Sequence, residues 1–231
     1  MASDRPAELT TTDRTRVRRK RERGVYRRDV VDAILDEGLI CHVGFAVDGT
    51  TIVLPMAYGR VDDHLYLHGA PANAMLGTIG DGVEACVTVT LVDALVLARS
   101  AFHHSMNYRS AVLVGTARTV VDDDEKYRAL VAIVEHMVPG RSADARLPTT
   151  KELRSTAVVR FPIEEGSAKI RTGDPVDDDE DMGLGIWAGQ IPLGLVARAP
   201  VADAQLPEGI AVPPYVAPYP DRSRHGDALL A

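Results

Sequence analysis

The 231-residue chain is 45% apolar and 26% charged with a net charge of −7, a balance that suits one soluble globular domain with extended ends and argues against a dedicated nucleic-acid binder. No apolar run approaches the roughly 20 residues that span a bilayer, and residues 1–20 lack the apolar centre of a secretory signal. The charge is uneven: residues 14–28 (RTRVRRKRERGVYRR) are strongly basic and residues 174–181 (DPVDDDED) strongly acidic, the latter reading as an exposed loop.

In chain order, residues 1–13 read as disordered or loosely attached. Val30, Val31, Ile34 and Leu35 recur at helical spacing and Gly38 offers a stop, so a helix is expected over RRDVVDAILDEGL. ICHVGFAV is the first long strand, Asp48-Gly49 a tight turn and TIVLPMAYGRV the second strand. Asp62-Asp63 then turns the chain into HLYLHG, completing an antiparallel meander. APANAMLGTIGDG is a short helix, VEACVTVTLVDALVLAR begins as a strand, and HHSMNYRSAVLVGTARTVVD is one long strand. The next helix is capped within Asp122–Asp124 and stopped at Pro139-Gly140. STAVVRFPIEEGSAKIRTG is a last strand pair, followed by the acidic loop, LGIWAGQIPLGLVA and a proline-rich tail. The expected boundaries are 1–13, 14–197 and 198–231. Short connections without steady strand-helix alternation favour a closed antiparallel barrel with flanking helices, an α+β class that is mainly β.

Motifs narrow the chemistry. Cys41 and Cys86 lie inside apolar strands and read as free buried thiols, which implies a cytoplasmic address. Neither Cys-x-x-Cys nor His-Glu-x-x-His occurs, so no metal centre is expected. No Gly-x-Ser-x-Gly elbow occurs, and the neighbours His103, His104 and Ser105 form no relay by adjacency; no catalytic residue is assigned. His68-Gly69 closes a strand just before a helix whose first amides attract anions; the plain alternative is a polar strand end. Arg109 offers a planar fork suited to phosphate, or is an ordinary surface arginine. Trp187, the single tryptophan, either packs or covers a planar ring system.

ILDEGLICHVGF, VLPMAYGR, LYLHG, MNYRSAVLVGTA, AKIRTGDPVDDDED and WAGQIPL, in that order, resemble the pyridoxamine 5'-phosphate oxidase-like family. The subgroup they resemble is that of flavin-binding split-barrel proteins, which includes nitroimidazole reductases, and the resemblance covers about residues 14–197. It implies a six-stranded antiparallel split β-barrel, a homodimer and flavin mononucleotide (FMN) at the dimer interface. Carried across, Val53, Leu54, Pro55, Met56 and Ala57 follow the flavin ring, and His68 and Gly69 lie beside the phosphate and ribityl chain. Ser110 reaches the ring's hydrogen-bonding edge with Arg109 beside it, Lys169 and Arg171 sit near the second subunit's contribution, and Trp187 covers the site. One departure stands out. Relatives usually carry Ser-Arg, Arg-Lys or Ser-Lys just after the His-Gly equivalent, with the basic side chains on the phosphate, where this chain has Asn73 and Ala74. Losing a charge-assisted bond to a phosphate costs roughly 1.5–3 kcal/mol. Asn73 retains only an uncharged hydrogen bond, which Arg18, Arg19, Arg21 and Arg23 could supplement from the amino end.

The leading expectation is an FMN-dependent oxidoreductase with a nicotinamide donor or oxygen as second substrate, in which the flavin carries the chemistry. A second reading places haem or a deazaflavin in the same barrel, with His68, His103 and His104 as possible axial ligands. A third is a cofactor-free dimer that binds a small molecule or a partner protein. Neither nucleic acid nor membrane is expected as a partner.

Overall fold

The structure, a computed structural model, describes residues 5–216. Its elements in chain order are β1 (Gly24–Val25), α1 (Arg28–Glu37), β2 (Ile40–Val47), β3 (Thr50–Val61), β4 (His64–Gly69), α2 (Ala74–Gly80), β5 (Glu84–Leu97), β6 (Ser105–Thr116), β7 (Arg118–Thr119), α3 (Asp123–Met137), α4 (Thr150–Arg154), β8 (Ala157–Pro162), β9 (Glu165–Arg171) and β10 (Gly189–Pro192). The chain divides into two compact units. The first comprises the described residues up to Pro55, with Glu84–Gly115 and Ile163–Gly194; the second comprises Met56–Val83, Thr116–Pro162 and the described residues from Leu195. Among the described residues no helix is long and apolar enough to cross a membrane.

The first unit is built on strands in the order β1-β9-β6-β5-β2-β3, with β10 added to β5. The alternation of ICHVGFAV buries Cys41, Val43 and Phe45 on one face, as a half-buried strand requires. Asp48 and Gly49 both take positive φ (48° and 79°), the twist that matches a two-residue antiparallel hairpin. Helix α1 buries Val30, Val31, Ile34 and Leu35, the spacing read from the sequence, and ends at Gly38. Strand β1 seats the amino-terminal segment on β9 by pairing Gly24 with Lys169. Leu9, within the stretch read as loosely attached, is only 4% exposed, and the amides of Leu9 and Thr10 donate to the carbonyls of Tyr26 and Glu164.

The second unit carries the order β3-β4-β8-β7, with α3 packed on β4. Tyr66, Val120, Ala129, Ile133 and Val158 form its core cluster. Asp122 caps α3 by accepting from the Glu125 amide, as its position in the sequence suggests. Gly59 lets the helix approach: a Cβ built there would lie 2.6 Å from the Ile133 amide nitrogen and 2.8 Å from the Ala132 carbonyl carbon. Only a residue without a side chain fits under that backbone.

The antiparallel α+β class and the β2-β3-β4 meander agree with the sequence reading. Four differences have local causes. Ten strands occur among the described residues, not six; β1 and β7 have two residues and β10 four, too few to carry a periodic signal. The single long strand expected across 103–122 breaks at Ala117, which is fully buried, and β7 joins β8. Strands β8 and β9 do not pair with each other: β8 pairs with β4 and β7, and β9 with β1 and β6. Helix α4 was not expected, although Thr149 and Glu152 make the reciprocal capping box that marks a helix start. The tail is exposed coil up to Val212, while Tyr215 bonds Asp144; the rest of the expected tail, 217–231, lies outside the described residues.

Gly59→Ala is expected to lower stability by about 1–3 kcal/mol, because the added methyl must displace helix backbone and not a flexible side chain. A thermal melt of the variant against the parent checks this.

Candidate functional site

In the second unit His68 lines a cavity of about 300 Å³. The sheet's alternation decides this placement: Tyr66 and His68 share one face of β4, and Tyr66 already packs in the cluster under α3. The walls are Leu130, Ile133, Val134 and Met137 of α3, with Leu147 and Pro148 beyond it. Arg146 and Glu152 also line it and pair with each other at 2.7 Å. His68 Nδ1 is buried and has no hydrogen-bond partner. Burial lowers the pKa of the ring from its ordinary 6.5, so the imidazole is neutral at neutral pH. A neutral imidazole with an unmatched nitrogen, set in an apolar cavity, is chemically suited to an incoming ligand or metal.

The residues after His68 are committed to structure. Gly69 makes room for the start of α2, since a Cβ there would lie 2.9 Å from Leu76 Cδ1. Asn73 is the N-cap of α2 and accepts from the Leu76 amide at 3.2 Å. No lysine or arginine occurs between residues 70 and 83. A phosphate at this helix would therefore meet no positive charge from the segment itself.

In the first unit a second cavity, of about 660 Å³, gathers cations. Lys169 and Arg171 of β9 meet Arg19, Lys20 and Arg23 of the basic amino-terminal run, which the pairing of Gly24 with Lys169 brings alongside. Tyr108, His103 and His104 also line it. Asp177 fixes the neighbouring acidic loop by accepting from the amides of Arg99 and Ser100, and His103 lies 3.1 Å from Asp178. His103, Asp178 and Asp181 have ligand-capable atoms within 4.8 Å of one another.

Arg109 is occupied elsewhere. It is 2% exposed and donates to Glu37 at 2.8 Å and to Asp93 at 2.7 Å, so its fork joins the end of α1 to β5 and β6. Burial acts to lower its pKa, but the hydrogen bonds it donates to Glu37 and Asp93 outweigh this and the net shift is upward. Arg109 is thus buried and committed to two carboxylates, not presented to a ligand. Ser110 donates to the Lys169 carbonyl, and the buried Arg171 donates to Asn107 and to the carbonyls of Gly173 and Asp174. Val53, Leu54 and Pro55, in the first unit, are exposed, and Val53 reaches 57%. Met56 and Ala57, in the second, are partly buried. Trp187 is 67% exposed, with its ring against Gly189. The structure therefore brings together Lys169, Arg171 and the basic run, and separately His68 and α3. Sequence reasoning did not find the α3 wall, although apolar residues at 130, 131, 133, 134 and 137 are more than one buried stripe needs. Both cysteines are free, and burial pushes the Cys41 thiol up to about 12.

Comparison with known proteins adds context to this geometry. The sequence profile described as pyridoxamine 5'-phosphate oxidase matches residues 27–170. The structure of the flavocytochrome Anf3 from Azotobacter vinelandii is 35% identical, with 89% of this chain and 95% of that one covered and a TM-score of 0.84. An FAD and haem binding protein from Mycobacterium smegmatis is 36% identical, with 84% and 95% covered and a TM-score of 0.80. A proposed 5-nitroimidazole antibiotic resistance protein from Bacteroides thetaiotaomicron is 25% identical, with 64% and 86% covered and a TM-score of 0.53. A comparison with curated proteins finds no match.

Arg109→Met is expected to destabilise the fold by about 3–5 kcal/mol, because it leaves the Glu37 carboxylate buried without its cation. Urea unfolding measures the loss; a variant that unfolds like the parent but releases ligand would return Arg109 to a binding role.

Proposed function

Because the chain belongs to the pyridoxamine 5'-phosphate oxidase family, we propose that it is a flavin-dependent redox protein that also holds a haem at His68. The flavin part rests on the family and on two structures, 35% and 36% identical, described as a flavocytochrome and as an FAD and haem binding protein. The haem part rests on one observation: the partnerless, half-buried imidazole of His68 inside an apolar cavity. The donor set fits a haem. His68 would supply a neutral nitrogen ligand, Leu130, Ile133, Val134 and Met137 would cover the apolar ring, and Arg146, which pairs with Glu152, is the one Lys or Arg in the lining. A volume of about 300 Å³ is at the low end for small-molecule sites, which span roughly 300–1,000 Å³. Bound together, flavin and haem would supply two-electron and one-electron chemistry in one chain.

What the chain's own residues contribute is binding and environment. The α3 wall keeps water from one side of the imidazole, and burial keeps the ring unprotonated and competent as a ligand. A mononucleotide flavin gripped at α2 is the weaker version of the reading, since Asn73 is engaged as a cap and the segment has no cation. A nicotinamide electron donor, a homodimer and a cytoplasmic address complete the proposal. Exposed apolar residues on paired strands, Leu95 of β5 opposite Ile191 of β10, favour a covered surface.

The visible spectrum of the purified protein tests this. Flavin bands together with an intense haem band are expected, and His68→Ala should retain the flavin and lose the haem band. Flavin alone in both proteins would remove the haem part. No chromophore after incubation with flavin and haemin would overturn the whole reading.

A further inference from the structure

The cation-lined cavity of the first unit has no assignment in the function just proposed. Five positively charged side chains, Arg19, Lys20, Arg23, Lys169 and Arg171, share it with one carboxylate, Asp178, in a chain whose net charge is −7. Such clustering runs against the overall composition. Arg19, Lys20, Arg23 and Lys169 form no ion pair among the described residues. Arg171 is held by Asn107 and two carbonyls, neutral acceptors that leave its charge uncompensated. Both burial and the nearby Arg23 disfavour that charge, as expected when like charges converge without a counter-ion.

The basic run is held in place. Gly24 pairs with Lys169, the Val17 amide donates to Tyr26 Oη at 3.1 Å, and a Cβ at Gly24 would lie 2.9 Å from Val17 Cβ. Lys20 takes a left-handed backbone (φ 56°, ψ 60°), a conformation that costs a non-glycine residue about 1 kcal/mol or more and that collects at ligand sites. The cavity also has aromatic faces: Tyr108 and Phe102 line it, and Phe102 is 89% exposed. Arginine and lysine around anionic oxygens, with aromatic surfaces for bases, is the chemistry of nucleotide recognition. The volume of about 660 Å³ sits in the middle of the small-molecule range. Arg19, Lys20 and Arg23 also lie before the family match, which spans residues 27–170, whereas Lys169 lies within it.

We propose that this cavity binds the diphosphate of a dinucleotide, with Arg19, Lys20, Arg23 and Lys169 on the phosphate oxygens and Tyr108 or Phe102 against a base. The proposal rests on the flavin-dependent reading for its two possible sources: the diphosphate of a dinucleotide flavin, or that of a nicotinamide dinucleotide donor.

The test compares the full chain with its Arg19→Ala/Arg23→Ala variant, whose changes fall on exposed or half-buried residues outside the core. Flavin-stripped protein is titrated with FAD, FMN and inorganic pyrophosphate, and the flavin-loaded protein is assayed with nicotinamide donors. If the flavin is the source, the variant binds FAD about tenfold or more weakly while FMN affinity is unchanged. If the donor is the source, flavin binding is unchanged and the donor KM rises about tenfold at constant kcat. Should the chain hold no flavin at all, calorimetry with pyrophosphate still reads the cavity: the parent binds it, and the variant binds about tenfold more weakly. Equal FAD affinity, donor KM and pyrophosphate binding in the two proteins would overturn the proposal.

Discussion

The close approach of α3 to β3 at Gly59 is the constraint on which the second unit depends. Because that strand position has no side chain, helix backbone lies where a Cβ would be, 2.6 Å from the Ile133 nitrogen. The approach sets the height of α3 over the sheet and turns Leu130, Ile133, Val134 and Met137 into the wall of the cavity at His68. Tyr66, two residues earlier on the same face of β4, is buried in the cluster under the helix, and its hydroxyl bonds Glu125. His68 is not matched in this way. A buried ring nitrogen without a partner is destabilising, by about 1–3 kcal/mol if fully desolvated, and native folds seldom retain one without a use.

The first unit shows two opposite treatments of the guanidinium group. Arg109 is buried between two carboxylates, so its charge is matched; it joins α1, β5 and β6. Arg19 and Arg23 remain without carboxylate partners beside Lys169. Residue type alone does not separate these roles, since both are arginines in a chain with a surplus of acid. The distinction comes from what the fold places opposite each one: Glu37 at the end of a helix for Arg109, and a cavity for the basic run.

That contrast explains how much of the molecule was legible in the sequence. Long periodic segments were readable, because burying one face of α1 or β2 demands a fixed spacing, and Asp48-Gly49 could only make a tight turn. Short edge strands were not, since two-residue β1 and β7 exist only through the neighbours they pair with. His68 was singled out by its place at a strand end, yet the α3 residues it faces are 62 or more positions away, and no local pattern links them. Arg109 reads from the sequence as a phosphate fork or a surface arginine, and the resemblance sets it beside the flavin ring; its carboxylate partners, at positions 37 and 93, are equally remote in sequence. The basic run was visible as charge, but its meeting with Lys169 depends on the register of β1 on β9.

Placing the haem at His68 is the central claim, and rescue of a cavity variant tests it most directly. His68→Gly removes the imidazole and leaves room for a free one, so the variant should fail to develop the parent's haem band on titration with haemin and recover it when imidazole is added. A variant that takes up haemin like the parent, with and without imidazole, would contradict the claim and show that His68 has no part in holding the group.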